Sequence, residues 1–258
     1  MKKFLLLCAC LVSSGLQASD YCEYEKNIDQ TLDLKGSEEL FVLAGAGDLR
    51  ITGVKSSNDA QISGRVCVSE EEWLEQSGVG TIGGKRAEIT VDLPDTDEGG
   101  SWGGDNYAYL DLELEVPEGI RLNVRDSSGD IRMEGVGAVT VQDSSGDMNI
   151  AHASGPISIK DSSGEINVSD INGDVTIESD SSGDIVGKDI AGKVLVESDS
   201  SGDIEFSEVG GDFVVERDSS GDISADGVGG DFQVLRDGSG EIDATRVDGE
   251  VDIPADKS

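Results

Sequence analysis

Apolar residues in the second half of the chain come in short bursts with a period of two, not with the three-to-four spacing of a helix. Ile166 and Val168 alternate with polar neighbours, and so do Ile185 and Gly187, Ile204 and Phe206, and Ile223 and Ala225. A second set follows a glycine each time: Val175 and Ile177, Val194 and Val196, Phe213 and Val215, Phe232 and Val234. Between the sets runs a further aliphatic series, Ile171, Ile190, Val209, Val228 and Val247. Alternating, mostly β-branched residues bounded by Ser-Gly and Gly-Gly predict two short strands per repeat with one face inward. No long helical stripe with capping signals is present in the mature sequence.

The bursts are locked to a repeated corner. Asp-Ser-Ser-Gly-(Asp/Glu) begins at Asp126, Asp143, Asp161, Asp180, Asp199 and Asp218, and Asp-Gly-Ser-Gly-Glu begins at Asp237. The spacing is 17, then 18, then 19 residues throughout. A unit of this size cannot bury an apolar face alone, so the repeats must stack. Stacking at ~4.8 Å pairs each strand with its equivalents above and below. The predicted fold is therefore all-β: a right-handed parallel β-solenoid, of the β-roll or β-helix kind, with rungs of about 19 residues. A flattened two-sheet roll is expected, with a three-sided helix as the alternative. Small inward residues (Gly187, Ala225, Ala244) should face large ones (Phe213, Phe232) to keep the core thickness constant.

The first half is less regular. Ala44-Gly45-Ala46-Gly47-Asp48-Leu49-Arg50-Ile51 is a degenerate rung start, and residues 60–69, 86–93 and 107–116 are strand candidates joined by longer loops. Three segments are expected: a signal peptide at 1–18, irregular rungs and a cap at 19–125, and regular repeats at 126–258. Two separate domains are the alternative.

Lys2-Lys3, the apolar run Phe4–Val12 and the small polar stretch Ser13–Ser19 have the layout of a secretory signal peptide, with cleavage expected after Ala18. A lipoprotein reading at Leu7-Cys8-Ala9-Cys10 would leave only Phe4–Leu7 as apolar core. No apolar run reaches the ~20 residues of a membrane helix. The expected location is the periplasm or the exterior. Of four cysteines, Cys22 and Cys67 remain after cleavage, and in an oxidising compartment they are expected to pair. Removing Lys2 and Lys3 leaves 17 basic and 54 acidic residues, a net of −37. Such a surface repels nucleic acid and anionic headgroups and attracts cations.

The early Gly-Asp-Leu-Arg-Ile-Thr-Gly at 47–53, then Leu112-Glu113-Leu114-Glu115-Val116-Pro117-Glu118-Gly119, then serial Ser-Gly-Asp-Ile turns resemble the bacterial "putative adhesin" strand-repeat family of exported proteins. The likeness spans roughly residues 36–253. It implies a β-solenoid of the cell envelope and supplies no catalytic residues.

Stacking would align Asp126, Asp143, Asp161, Asp180, Asp199, Asp218 and Asp237 in one column. Asp130, Asp147, Glu165, Asp184, Asp203, Asp222 and Glu241 would form another. Like charges ~4.8 Å apart repel by ~0.9 kcal/mol in water and ~3.5 kcal/mol at an effective dielectric of 20. Two offsets are open. The first Asp of each corner can accept backbone N–H bonds as an Asx-turn, or carboxylate and serine oxygens can hold Ca²⁺ between rungs. The loop 94–107, with Asp95, Asp97, Trp102 and Asp105, is a second candidate, for contact or metal. The lone His152 occupies the position equivalent to Asp170, Asp189 and Ser207 and reads as a surface variant. No nucleophile elbow, phosphate loop or zinc cluster appears.

The sequence thus predicts a non-enzymatic envelope scaffold that binds a protein or carbohydrate. A calcium-dependent roll and a carbohydrate-active enzyme are the alternatives. The last rung has no evident cap, so end-to-end pairing of copies is expected.

Overall fold

The computed structural model describes residues 22–96 and 106–254. Two sheets of eleven strands each face one another across a single continuous core, so the roll has two sides, not three. From Arg121 onward every pairing is parallel and links one rung to the next. The first sheet takes Ile131–Glu134, Met148–Ala151, Ile166–Ile171, Ile185–Ile190, Ile204–Val209, Ile223–Val228 and Ile242–Val247. The second takes Arg121–Arg125, Val139–Gln142, Ile157–Lys160, Val175–Ser179, Val194–Val196, Phe213–Val215, Phe232–Val234 and Val251–Asp252.

Register follows from side-chain alternation. Ile166 stacks on Ile185, Ile185 on Ile204 and Ile204 on Ile223. On the opposite sheet Val175, Val194, Phe213 and Phe232 do the same. A slip of one residue would turn these columns out to water, and each inward aliphatic contributes roughly 1.5–3 kcal/mol by burial. The step to 19 residues is an extra residue at Glu178–Ser179, where pairing with Ile159–Lys160 shifts.

Core thickness is balanced within a column. A side chain on Gly187 would begin 2.0 Å from Phe206, which is the next residue of the same column. The Phe206 ring fills the space that Gly187 leaves. It also packs on Phe213 at 5.0 Å, and Phe213 packs on Phe232 at 5.4 Å.

The N-terminal strands join the same sheets in a different order. Glu39–Leu43 and Leu49–Val54 form a rung that stacks directly on Arg121–Arg125 and Ile131–Glu134. On its other side lie Arg86–Asp92 and Ala108–Pro117. Antiparallel strands then close that end: Asp59–Val68 against Ala108–Pro117, Tyr24–Asp33 against Asp59–Val68, and Gly78–Ile82 against Arg86–Asp92. The only helix among the described residues is Trp73–Gln76, and none is long and apolar enough to cross a membrane. Cys22 and Cys67 form a disulfide. It ties the beginning of the outermost strand to its neighbour. The expected signal peptide lies outside the described residues.

Candidate functional site

Each Asp-Ser-Ser-Gly corner carries the chain from the second sheet back into the first, and its four residues have four separate tasks. The glycine column (Gly146, Gly164, Gly183, Gly202, Gly221) has φ between +123° and +140°. A Cβ there would also sit only 1.7–2.0 Å from a glycine carbonyl oxygen of the preceding rung. Glycine is required both for backbone angle and for the close approach of rungs. The second serine donates its hydroxyl to the first serine's carbonyl one rung back, as Ser163 does to Ser144 and Ser201 to Ser181, both at 3.1 Å.

The first Asp of every corner points inward. Asp143, Asp161, Asp180, Asp199, Asp218 and Asp237 are 1–3% exposed, and Asp126 is 7% exposed. In several corners Oδ1 accepts the N–H of the next residue: Ser144 on Asp143, Ser181 on Asp180 and Ser200 on Asp199, each at 2.7 Å. Ser220 N–H donates to Asp218 at 3.2 Å, and Gly45 N–H donates to Asp126 from the neighbouring irregular rung at 2.9 Å. The turn chemistry is therefore present. It satisfies only part of each carboxyl. Oδ2 of Asp126, Asp143, Asp161, Asp180, Asp199 and Asp218 is buried with no amide, hydroxyl or ammonium donor on it.

Burial, the largest influence, pushes these carboxyls up, to about 7 at Asp126 and Asp199 and about 6 at Asp143, Asp180 and Asp218. Burial also raises Asp161. The turn N–H groups pull the other way, and neighbouring carboxylates add to the rise: Asp180 and Asp218 act on Asp199, and Asp143 and Asp48 on Asp126. At Asp218 a hydrogen bond from the Asp199 carboxyl lowers the value.

The second acidic column faces solvent and has a different role. The Asp48 carboxylate accepts the N–H of Asp130, Asp130 that of Asp147, and Asp147 that of Glu165, at 3.0–3.1 Å. Asp184, Asp203 and Asp222 continue the series onto Asp203, Asp222 and Glu241 at 2.8–2.9 Å. Each aspartate thus anchors the start of the next rung. Glu165, with its longer side chain, instead accepts from Asn167 Nδ2 at 2.8 Å. The same device recurs at the corner entering the second sheet, where Asp174, Asp212 and Asp231 accept the N–H groups of Lys193, Asp231 and Glu250. This role was missed in the sequence, although the preference for Asp over Glu at these positions was its signal.

One column is inside and the other outside, so the structure does not bring the two columns of candidate carboxylates together. Among the described residues no three His, Cys, Asp or Glu side chains converge where a metal ion could sit. In the second candidate, Asp95 is exposed, while Asp97, Trp102 and Asp105 lie outside the described residues. The alignment of His152 needs one correction. Its column continues through Asp170 and Asp189 to Glu208, not Ser207. These residues share φ near +55°, whereas Ser207 pairs with Lys188. His152 Nδ1 lies 3.5 Å from Asp170 Oδ2, and both residues are well exposed.

The outer face of the second sheet carries one uncharged column between charged ones. Asn123, Thr140, Ser158, Thr176, Leu195 and Val214 stack in register on six consecutive rungs, with Phe41 before them and Gln233 after. In a chain with 54 acidic residues, this central column has no charge over eight rungs.

No curated protein matches the chain. Among solved structures it is similar to a protein from Parabacteroides distasonis described as a "putative lipid binding protein", at 15% identity and TM-score 0.36, covering 90% of this chain and 97% of that one. It is also similar to a "putative cell adhesion protein" from Clostridium sporogenes, at 14% identity and TM-score 0.34, covering 90% and 100%. A "putative adhesin" from Parabacteroides merdae matches at 10% identity and TM-score 0.33, covering 90% and 97%. Likenesses of that order carry no weight for function. The family model spans both the irregular rungs and the start of the regular ones. With residues 27–186 matched, the chain belongs to the Toastrack DUF4097 family, a β-solenoid group.

Proposed function

We propose that the protein is an exported, non-enzymatic scaffold of the cell envelope that binds an extended, uncharged partner, foremost a polysaccharide, along the outer face of its second sheet. The observation that carries this reading is the charge-free column from Phe41 to Gln233. Everywhere else, a net charge of −35 disfavours anionic partners such as nucleic acid. The column instead offers amide, hydroxyl and aliphatic groups at the strand spacing, which suits a chain of repeated sugars lying parallel to the stack. The Cys22–Cys67 disulfide supports an oxidising compartment, the periplasm or the exterior. The same reading includes pairing of copies at the last rung, where Val251 and Ile253 are exposed.

The test is retention on immobilised neutral and acidic envelope polysaccharides. The intact chain is expected to bind a neutral polymer with little dependence on salt. Thr176→Asp together with Leu195→Asp should abolish retention while leaving the fold intact. Retention that survives both substitutions, or cleavage of the polymer, overturns the proposal.

A further inference from the structure

Buried carboxyl oxygens without a donor are the least expected feature of this core. A buried, unpaired polar group costs about 1–3 kcal/mol, and more when it is charged. Here the feature recurs at Asp126, Asp143, Asp161, Asp180, Asp199 and Asp218, one rung apart. If all were ionised, each would face a like charge ~4.8 Å above and below in a poorly solvated interior. Serine N–H groups reach one oxygen of several of these residues and leave the other bare. Something must occupy the space between successive carboxyls.

We propose that the inward aspartate column is a proton-binding site running the length of the regular array, with protons shared between the carboxyls of successive rungs as the ligand that joins them. A protonated carboxyl becomes a donor, and it meets the bare oxygen of its neighbour with an O–H···O⁻ bond. Asp199 and Asp218 are adjacent members of the column that act on one another. The charged groups acting on the column are its own members, including Asp237 beside Asp218, together with Asp48 of the outer column beside Asp126. Those groups include no lysine, arginine or histidine, so no fixed cation substitutes for the proton. A metal ion would need further oxygens, and among the described residues no third carboxylate converges on the column.

The sign follows from linkage. Burial raises the folded-state values, to about 6 or about 7 where they are largest, above the ordinary ~3.9 of an unfolded aspartate. The folded state therefore binds more protons, and stability is greatest in acid. It is lost as pH rises through the folded values. A loss of stability confined to the near-neutral range is the column's signature.

The experiment follows thermal unfolding of the full chain from pH 5 to pH 8, with chelator and with added Ca²⁺. Difference infrared spectra over the same range detect protonated carboxyl groups. Asp199→Asn is the test variant, since an amide supplies the missing donor without a proton; exposed Glu205→Gln is the control. The expected result is a fall in Tm between pH 5 and pH 8 that Asp199→Asn reduces and Glu205→Gln does not. A protonated-carboxyl band should persist above pH 5 and weaken in the variant. If that band has vanished by pH 5 in the unsubstituted chain, the proposal is wrong, and this reading holds even if Asp199→Asn fails to fold. A Tm at pH 8 that Ca²⁺ restores and chelator removes also overturns it, making a cation the ligand.

Discussion

The two ends of the stack solve the same problem in opposite ways. At the N-terminal end, strands Tyr24–Asp33, Asp59–Val68 and Gly78–Ile82 run antiparallel to their neighbours and cover the first parallel rung. Leu110, Leu112, Leu114, Ala87 and Ile89 beneath them are at most 2% exposed. At the other end nothing comparable lies over the last rung among the described residues. Ile242, Ala244 and Val247 are only partly buried, Val251 is 52% exposed and Ile253 is 45% exposed. The antiparallel strands cover the first parallel rung, whereas the last parallel rung keeps its own edge open. In a one-dimensional stack, stability should therefore decline from the covered end to the open one.

The largest expected effect removes the anchor of the covered end. Cys22→Ser with Cys67→Ser opens a loop with a sequence separation of 45, worth about 4 kcal/mol in the chain-entropy model. Denaturant unfolding should show a loss of that order. It should also separate an early N-terminal transition from the unfolding of the array. A single unchanged transition would mean that the antiparallel cap holds without its bridge.

A smaller effect probes position along the stack. Gly202→Ala in the middle places a methyl group 1.8 Å from the Gly183 carbonyl oxygen, and Gly240→Ala in the last corner places one 1.7 Å from that of Gly221. The local clash is the same. In the middle it cannot be relieved without parting two rungs, and a loss of about 3 kcal/mol is expected, the upper range for a strained backbone site. At the open end the final rung can fray, and about 1 kcal/mol is expected. Equal losses in the two variants would refute the gradient.

The regular array was legible because every rung repeats the same physical compromise. The glycine corner, the inward alternation of Ile185, Ile204 and Ile223, and the two strands per rung all follow from spacing. The stacking order of the first half was not legible. Periodicity identifies Leu49–Val54 as a rung start but not that it lies between Ala108–Pro117 and Ile131–Glu134, because nearest neighbours in space are not nearest in sequence there. The one-residue error at Ser207 arose at the left-handed corner, where pairing skips from Lys188–Ser207 to Ile190–Val209. The site was half legible. Both acidic columns were visible, but their directions were not. Asp180 and Asp184 are four residues apart, and only the turn between them sends one inward and the other to water.

The smallest effect in stability concerns the open end and decides what meets it. An exposed parallel edge with Val251 and Ile253 beside it favours pairing with another strand. A second copy would bring Glu241, Asp243, Asp248, Glu250 and Asp252 toward their equals, with Arg246 already engaged by Asp226 at 2.7 Å and by Glu208 at 2.6 Å. At low ionic strength that repulsion should keep copies apart. At about 1 M salt the screening length falls to about 3 Å, and the apolar edge should then dominate. Light scattering is expected to show a monomer in dilute buffer and a concentration-dependent dimer in high salt. Val251→Lys with Ile253→Lys should remove the dimer while changing monomer stability by no more than about 0.5 kcal/mol. A mass that stays monomeric at high salt would refute pairing of copies at the open edge.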